Sequence, residues 1–95
     1  MVRLANSRER EEELLDLLVE SYIQESRPIS STYLCDKYHL PYSSATVRNI
    51  LENLEKRGYL SHVHTSSGRV PTKGGFKHYV SGLQETDTMN NYPVD

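Results

Sequence analysis

Between residues 8 and 26 the apolar positions recur at spacings of three, four and seven. Leu14, Leu15, Leu18, Tyr22 and Ile23 form one stripe with Leu17 and Val19 beside it, while acids, Arg8 and Arg10 fill the other face. The spacing predicts a helix, with Ser7 as its N-cap and Glu9, Glu11 and Glu12 complementing the helix dipole. Pro28 ends it and drives Arg27 towards extended backbone. A shorter helix is predicted over 31–38, capped by Ser30 or Ser31, with Leu34, Cys35 and Tyr38 as its apolar stripe. His39 to Tyr42 then make a turn.

The third helix, over 43–57, is the best specified. Val47, Ile50, Leu51 and Leu54 lie on one face at i, i+3, i+4 and i+7, and Gly58 stands where a left-handed C′ residue is wanted. Residues 59–63 alternate as a half-buried strand does. Thr65 to Gly68 are turn formers, and Arg69 and Val70 begin a return strand that Pro71 limits. Thr72 is placed to cap a last helix carrying Phe76, Tyr79, Val80 and Leu83. Gly74 and Gly75 cost it roughly 1 kcal/mol each against Ala, so packing must support it. The polar segment 84–95 lacks periodicity and reads as a disordered tail after a domain over 8–83, with 1–7 as a flexible start. The pattern predicts a mostly α (α+β) winged helix-turn-helix: a three-helix core, a two-stranded wing and a C-terminal supporting helix.

Composition narrows the class. No apolar run approaches the ~20 residues that span a bilayer, and no signal-peptide core follows Met1, so a cytoplasmic location is the expectation. The net charge of −2 disfavours nucleic acid until it is divided along the chain. Residues 1–36 carry −4, residues 37–81 carry +5 and residues 82–95 carry −3. The basic segment coincides with the third helix and the wing, and local field rather than total charge steers a phosphate backbone. The acidic total predicts weak non-specific binding.

Ser43-Ser-Ala-Thr-Val-Arg-Asn, the Leu-Glu-Lys-Arg-Gly-Tyr-Leu that closes the helix, and His64-Thr-Ser-Ser-Gly-Arg-Val-Pro-Thr72 resemble the amino-terminal domain of the HrcA family of heat-inducible transcription repressors. Glu25-Ser-Arg-Pro-Ile-Ser-Ser and Phe76-Lys-His-Tyr-Val fit the same pattern, so the resemblance covers about residues 8–83. It departs at Ile50, where the family usually has a polar or acidic residue, and at His39-Leu-Pro-Tyr, which replaces a Gly-containing turn. The resemblance implies a repressor that binds, as a dimer, an inverted repeat in double-stranded DNA upstream of chaperone operons. Family members are several times longer, with a dimerisation region that this chain lacks, so the isolated chain is expected to be a monomer or weak dimer.

In such a fold the third helix enters the major groove by its first turns. Ser43 and Ser44 are placed to donate to phosphates, and Thr46 to reach a base edge. Arg48 and Asn49 are the types that pair with guanine and adenine. Arg69 at the wing is expected to reach the minor groove or a phosphate, with His64 and Thr65 touching backbone beside it. Lys73, Lys77 and Lys37 add phosphate attraction. The bland readings are an N-cap for Ser43, a solvated charge for Arg48 and an exposed polar residue for Asn49. His62 and His64 share a strand face, but no Cys pair or carboxylate completes a metal set. Cys35 reads as core. No cofactor, membrane or small-molecule substrate is expected, and no nucleophile–base pair or phosphate loop suggests an enzyme. The rival reading is a protein-binding winged helix, using Ile50 and the acidic first helix.

Overall fold

The structure, a computed structural model, describes residues 7–63 and 67–90, with side chains for 8–63 and 67–83. Four helices and one hairpin run in the order α1 (Ser7–Glu25), α2 (Ser31–Tyr38), α3 (Ser44–Lys56), β1 (Leu60–His62), β2 (Arg69–Pro71) and α4 (Lys73–Asn90). The fold is a winged helix. Among the described residues no helix is long and apolar enough to cross a membrane.

α1 buries Leu14, Leu15, Leu18 and Val19 completely or nearly so. Ser21 is buried with them and satisfies its hydroxyl on the Tyr38 hydroxyl at 3.1 Å. Ile23, expected in the stripe, is 57% exposed. The buried arc centres near Leu18. Ile23 lies a further ~40° round the helix beyond Val19, past the arc's edge, whereas Ser21 falls inside it. α1 ends where Ser26 takes a left-handed φ of 58° and donates its N–H to the Tyr22 carbonyl at 2.8 Å.

Ser30, not Ser31, caps α2, its hydroxyl accepting from the Tyr33 N–H at 3.1 Å. His39 closes the helix in the left-handed region, at φ 51°. It thus supplies the backbone shape for which glycine is the usual choice.

α3 forms as the sequence dictates. Val47, Ile50, Leu51 and Leu54 are buried, and Ser43 caps the start by accepting from the Thr46 N–H at 3.1 Å. At its end Gly58 (φ 89°) donates to the Glu55 carbonyl and Tyr59 to the Leu54 carbonyl, both at 3.0 Å. That pair of bonds is a Schellman motif.

β1 and β2 pair antiparallel, Leu60 with Pro71, Ser61 with Val70 and His62 with Arg69. Ile29, just before α2, extends the sheet as a single-residue bridge: it donates to the Arg69 carbonyl at 3.0 Å and accepts from the Arg69 N–H at 2.8 Å. Thr72 caps α4 through the Gly75 N–H at 3.1 Å and donates its hydroxyl to the Gly58 carbonyl at 2.6 Å. Phe76 and Tyr79 pack on the core, and Phe76 meets the Tyr22 ring edge-on at 6.1 Å. Val80 and Leu83 are nearly half exposed. α4 runs to Asn90. Residues 1–6 and 91–95 lie outside the described residues.

Candidate nucleic-acid interface

α3 sets the candidate surface. Its apolar side is sealed in the core, which leaves Ser44, Ala45, Arg48, Asn49, Glu52 and Lys56 exposed on the opposite side. Positions 45, 48, 49, 52 and 56 share a face by helical spacing, so Arg48 and Asn49 flank a stripe running through Ala45 and Glu52. Among the described residues no hydrogen bond or ion pair engages the Arg48 guanidinium. Its five donors are presented to solvent.

The start of α3 is more committed. The Ser43 hydroxyl accepts from the Thr46 N–H and donates to the Thr46 hydroxyl oxygen, both at 3.1 Å. Ser43 therefore spends its proton inside the cap, and the donor left facing outward is the Thr46 O–H. Ser44 is exposed, and the N–H groups of Ser44 and Ala45 precede the first intrahelical bonds, at the positive end of the helix dipole. An anion meeting this end finds the hydroxyls of Ser44 and Thr46 and two backbone donors.

The wing departs from expectation. Arg69, foreseen as a contact to the minor groove or a phosphate, is only 4% exposed. Its Nε donates to Glu55 Oε1 at 3.2 Å and its Nη1 to the Ser67 carbonyl at 3.0 Å, so the guanidinium is turned inward against α3. The pairing of β2 with Ile29 dictates this. It places Arg69 in the middle of the small sheet, where a charged side chain must find a partner or remain unpaired in the interior. Gly68 is buried too: a β-carbon there would lie 2.6 Å from Pro28 Cβ and 3.0 Å from the Pro28 carbonyl carbon. Both residues of this Gly-Arg pair are held by packing. His64 and Thr65 lie outside the described residues.

The remaining cations differ in how free they are. Lys73 is exposed in the first turn of α4. Lys77 shares a groove between α1 and α4 with Glu12, Asp16 and His78, and these acids offset its field. Lys37 is half-buried, bonded to Gln24 Oε1 at 2.5 Å and lying over the Tyr33 and Tyr38 rings. Arg57 is paired with Glu11, which also accepts from Asn53 and so fastens α3 to α1. Of the cations in the basic segment, Arg57 is paired with Glu11 outside it and Arg69 with Glu55, an acid already counted in the +5.

Titration adds little to the surface. Burial pushes the Cys35 thiol up, with Asp36 adding to the shift, and its Sγ faces the Tyr42 carbonyl at 3.7 Å. That is the setting of an inert core thiol. Burial also raises the Asp16 carboxyl, against a lowering pull from His78. Among the described residues no group of three or more His, Cys, Asp or Glu side chains is placed to hold a metal.

Sequence reasoning missed Ala45 and Glu52 on the α3 face. Helical spacing from Arg48 places Ala45 at i−3 and Glu52 at i+4, so the signal was present. Ile50, proposed as part of a protein-binding face, is 7% exposed and belongs to the core. Ile50 is therefore no part of that surface, while the acids of the first helix, Glu12, Glu13 and Glu20, stay exposed.

Comparison with known proteins shows the family. No protein-family model matches the chain. The heat-inducible transcription repressor HrcA of Chloroflexus aurantiacus is 43% identical over 82 residues, covering 86% of this chain and 22% of that protein. The same-named repressor of Roseiflexus castenholzii is 46% identical over 82 residues, 86% of this chain and 23% of that one. That of Chlorobium phaeobacteroides is 43% identical over 87 residues, 92% and 25%. A crystal structure titled only as a hypothetical protein at 2.2 Å resolution matches with a TM-score of 0.78 and 35% identity, over 81% of this chain and 25% of that chain. The chain thus spans about a quarter of the length of the relatives it matches. In sequence and in fold it belongs to the HrcA family, as the counterpart of that family's amino-terminal winged-helix domain.

Proposed function

We propose that this chain is the sequence-specific DNA-binding domain of a transcription repressor. In this reading α3 lies in the major groove of one half of an inverted-repeat operator of chaperone genes. Arg48 reads guanine, Asn49 reads adenine, and Ser44, the Thr46 hydroxyl and the first amides of α3 hold phosphates. The observation that carries the reading is the exposed α3 face with its unengaged Arg48, in a chain 43% and 46% identical to proteins named as repressors. Lys73 adds phosphate attraction beside the wing, and His64 and Thr65 supply contacts at its tip. Two copies meet on the two half-sites, since an inverted repeat presents the same surface twice. Repression follows from occupying the promoter, which places the protein in the cytoplasm with its operator.

The test is a fluorescence-anisotropy titration against a chaperone-operon inverted repeat and a scrambled duplex, at two salt concentrations. The expected result is tighter binding to the repeat with a clear salt slope. Equal, weak binding to both would reject sequence reading by this chain.

A further inference from the structure

We infer that Arg69 is a positioning residue: through Glu55 it sets the wing against α3, so that the two reading elements approach one duplex as a single rigid surface. The inference rests on the DNA-binding reading above and assigns Arg69 a role other than touching DNA.

Three elements converge on this residue. Its main chain holds Ile29 in both directions, at 2.8 and 3.0 Å, and pairs with His62 across the hairpin. Its Nε reaches Glu55, in the last turns of α3. Its Nη1 takes the carbonyl of Ser67, at the return of the wing. One planar guanidinium therefore bonds the recognition helix on one edge and the wing on another, in a fork geometry that an ammonium cannot reproduce. The side chain is 5% exposed and the Glu55 side chain 36%, so the ion pair is screened on one side only. Gly68 packs closely beside it, since a β-carbon there would lie 2.6 Å from Pro28 Cβ and 3.2 Å from the Ile29 nitrogen.

The physical consequence is specific. α3 is itself fixed by its buried face and by the Glu11 ties, so loss of the bridge leaves the helix in place. The hairpin has only three residues in each strand, and a two-stranded ribbon is marginal without support. Its angle to α3 then becomes variable, and a duplex that needs both elements is bound with an ordering penalty.

The experiment uses the full chain as wild type, Glu55→Gln, Arg69→Lys and the double variant. Three quantities are read: amide exchange at Ile29, Val63 and Arg69, the thermal midpoint, and affinity for the repeat and the scrambled duplex across salt. Each single variant is expected to lose about tenfold in affinity for the repeat, the scale of one charge-assisted bond. The double variant should be no worse than either single one, the salt slope should stay unchanged, and exchange should rise at the wing base but not in α3. Glu55→Gln serves where Arg69→Lys fails to fold, since its site is partly exposed. Unchanged wing exchange in both variants would overturn the inference. So would an affinity loss confined to Arg69→Lys with a shallower salt slope, which marks a direct phosphate contact. A wild type that binds neither duplex removes the DNA-binding reading instead, and wing exchange then still decides whether the bridge sets the wing.

Discussion

Gly75 packs its bare α-carbon against the carbonyl oxygen of Tyr59, where a β-carbon has no room. Two residues of a glycine pair thus play unequal parts. Gly74 faces only ordinary contacts, at 3.5 Å to the Gly58 carbonyl oxygen. Gly75→Ala should therefore destabilise the domain by ~1–3 kcal/mol through overpacking. Gly74→Ala should stabilise it by up to ~1 kcal/mol through helix propensity. Urea unfolding of the two variants checks the contrast, and equal effects would contradict the packing seen at Tyr59.

Arg48→Ala is expected to weaken binding to the repeat by ~1–3 kcal/mol and to relax preference at one base pair. The change should leave stability nearly untouched, because the side chain is exposed. Titration against a panel of single-position operator variants measures both effects. An equal loss on every sequence would make Arg48 a phosphate contact.

His39 adopts a left-handed backbone while carrying a β-carbon and a ring. Replacing it with glycine removes that strain, so His39→Gly should raise stability by about 1 kcal/mol. DNA affinity should follow wild type, since the turn lies outside the α3 face. A thermal midpoint at or below wild type would show that the His39 side chain contributes packing that outweighs the strain.

Asp16 predicts a pH dependence. Burial raises its carboxyl above the ordinary value in the folded protein, so the folded state binds this proton more tightly than the unfolded one. Its contribution to stability is present in acid, below the unfolded pKa of about 4, and is lost as the pH rises through the folded value. Asp16→Asn should accordingly stabilise the domain at neutral pH and lose that advantage in acid. Stability curves of the two proteins against pH should converge at the acid end. His78, which pulls the carboxyl the other way, makes Asp16→Asn in a His78→Ala background the stronger stabilisation.

The contrast between Val47 and Arg69 shows what the sequence held. α3 was legible because its signals are local: a capping serine, four apolar residues at helical spacing and a glycine at C′, all within one stretch of chain. The Ser21 and Ile23 exchange was less so. A serine inside an apolar arc becomes acceptable only through the Tyr38 hydroxyl, which another helix supplies. The inward turn of Arg69 was not legible for the same reason at longer range. An arginine following turn formers looks exposed until the hairpin folds back on Ile29, and its partner Glu55 lies on a different element. Local motifs fix elements, whereas the destination of a charge depends on the contacts those elements make.

The bridge between Ile29 and Arg69 also bears on how the domain assembles. It joins chain positions on either side of α2 and α3, so closing it draws together residues forty apart in sequence. Closing a loop of that length costs entropy that grows with the logarithm of its size, whereas each helix can form from neighbours in sequence. The helical core should gather first and the wing should dock last. During synthesis, a chain that has emerged only as far as Gly58 would already hold all of α1, α2 and α3. It would lack the strand that completes the sheet with Ile29.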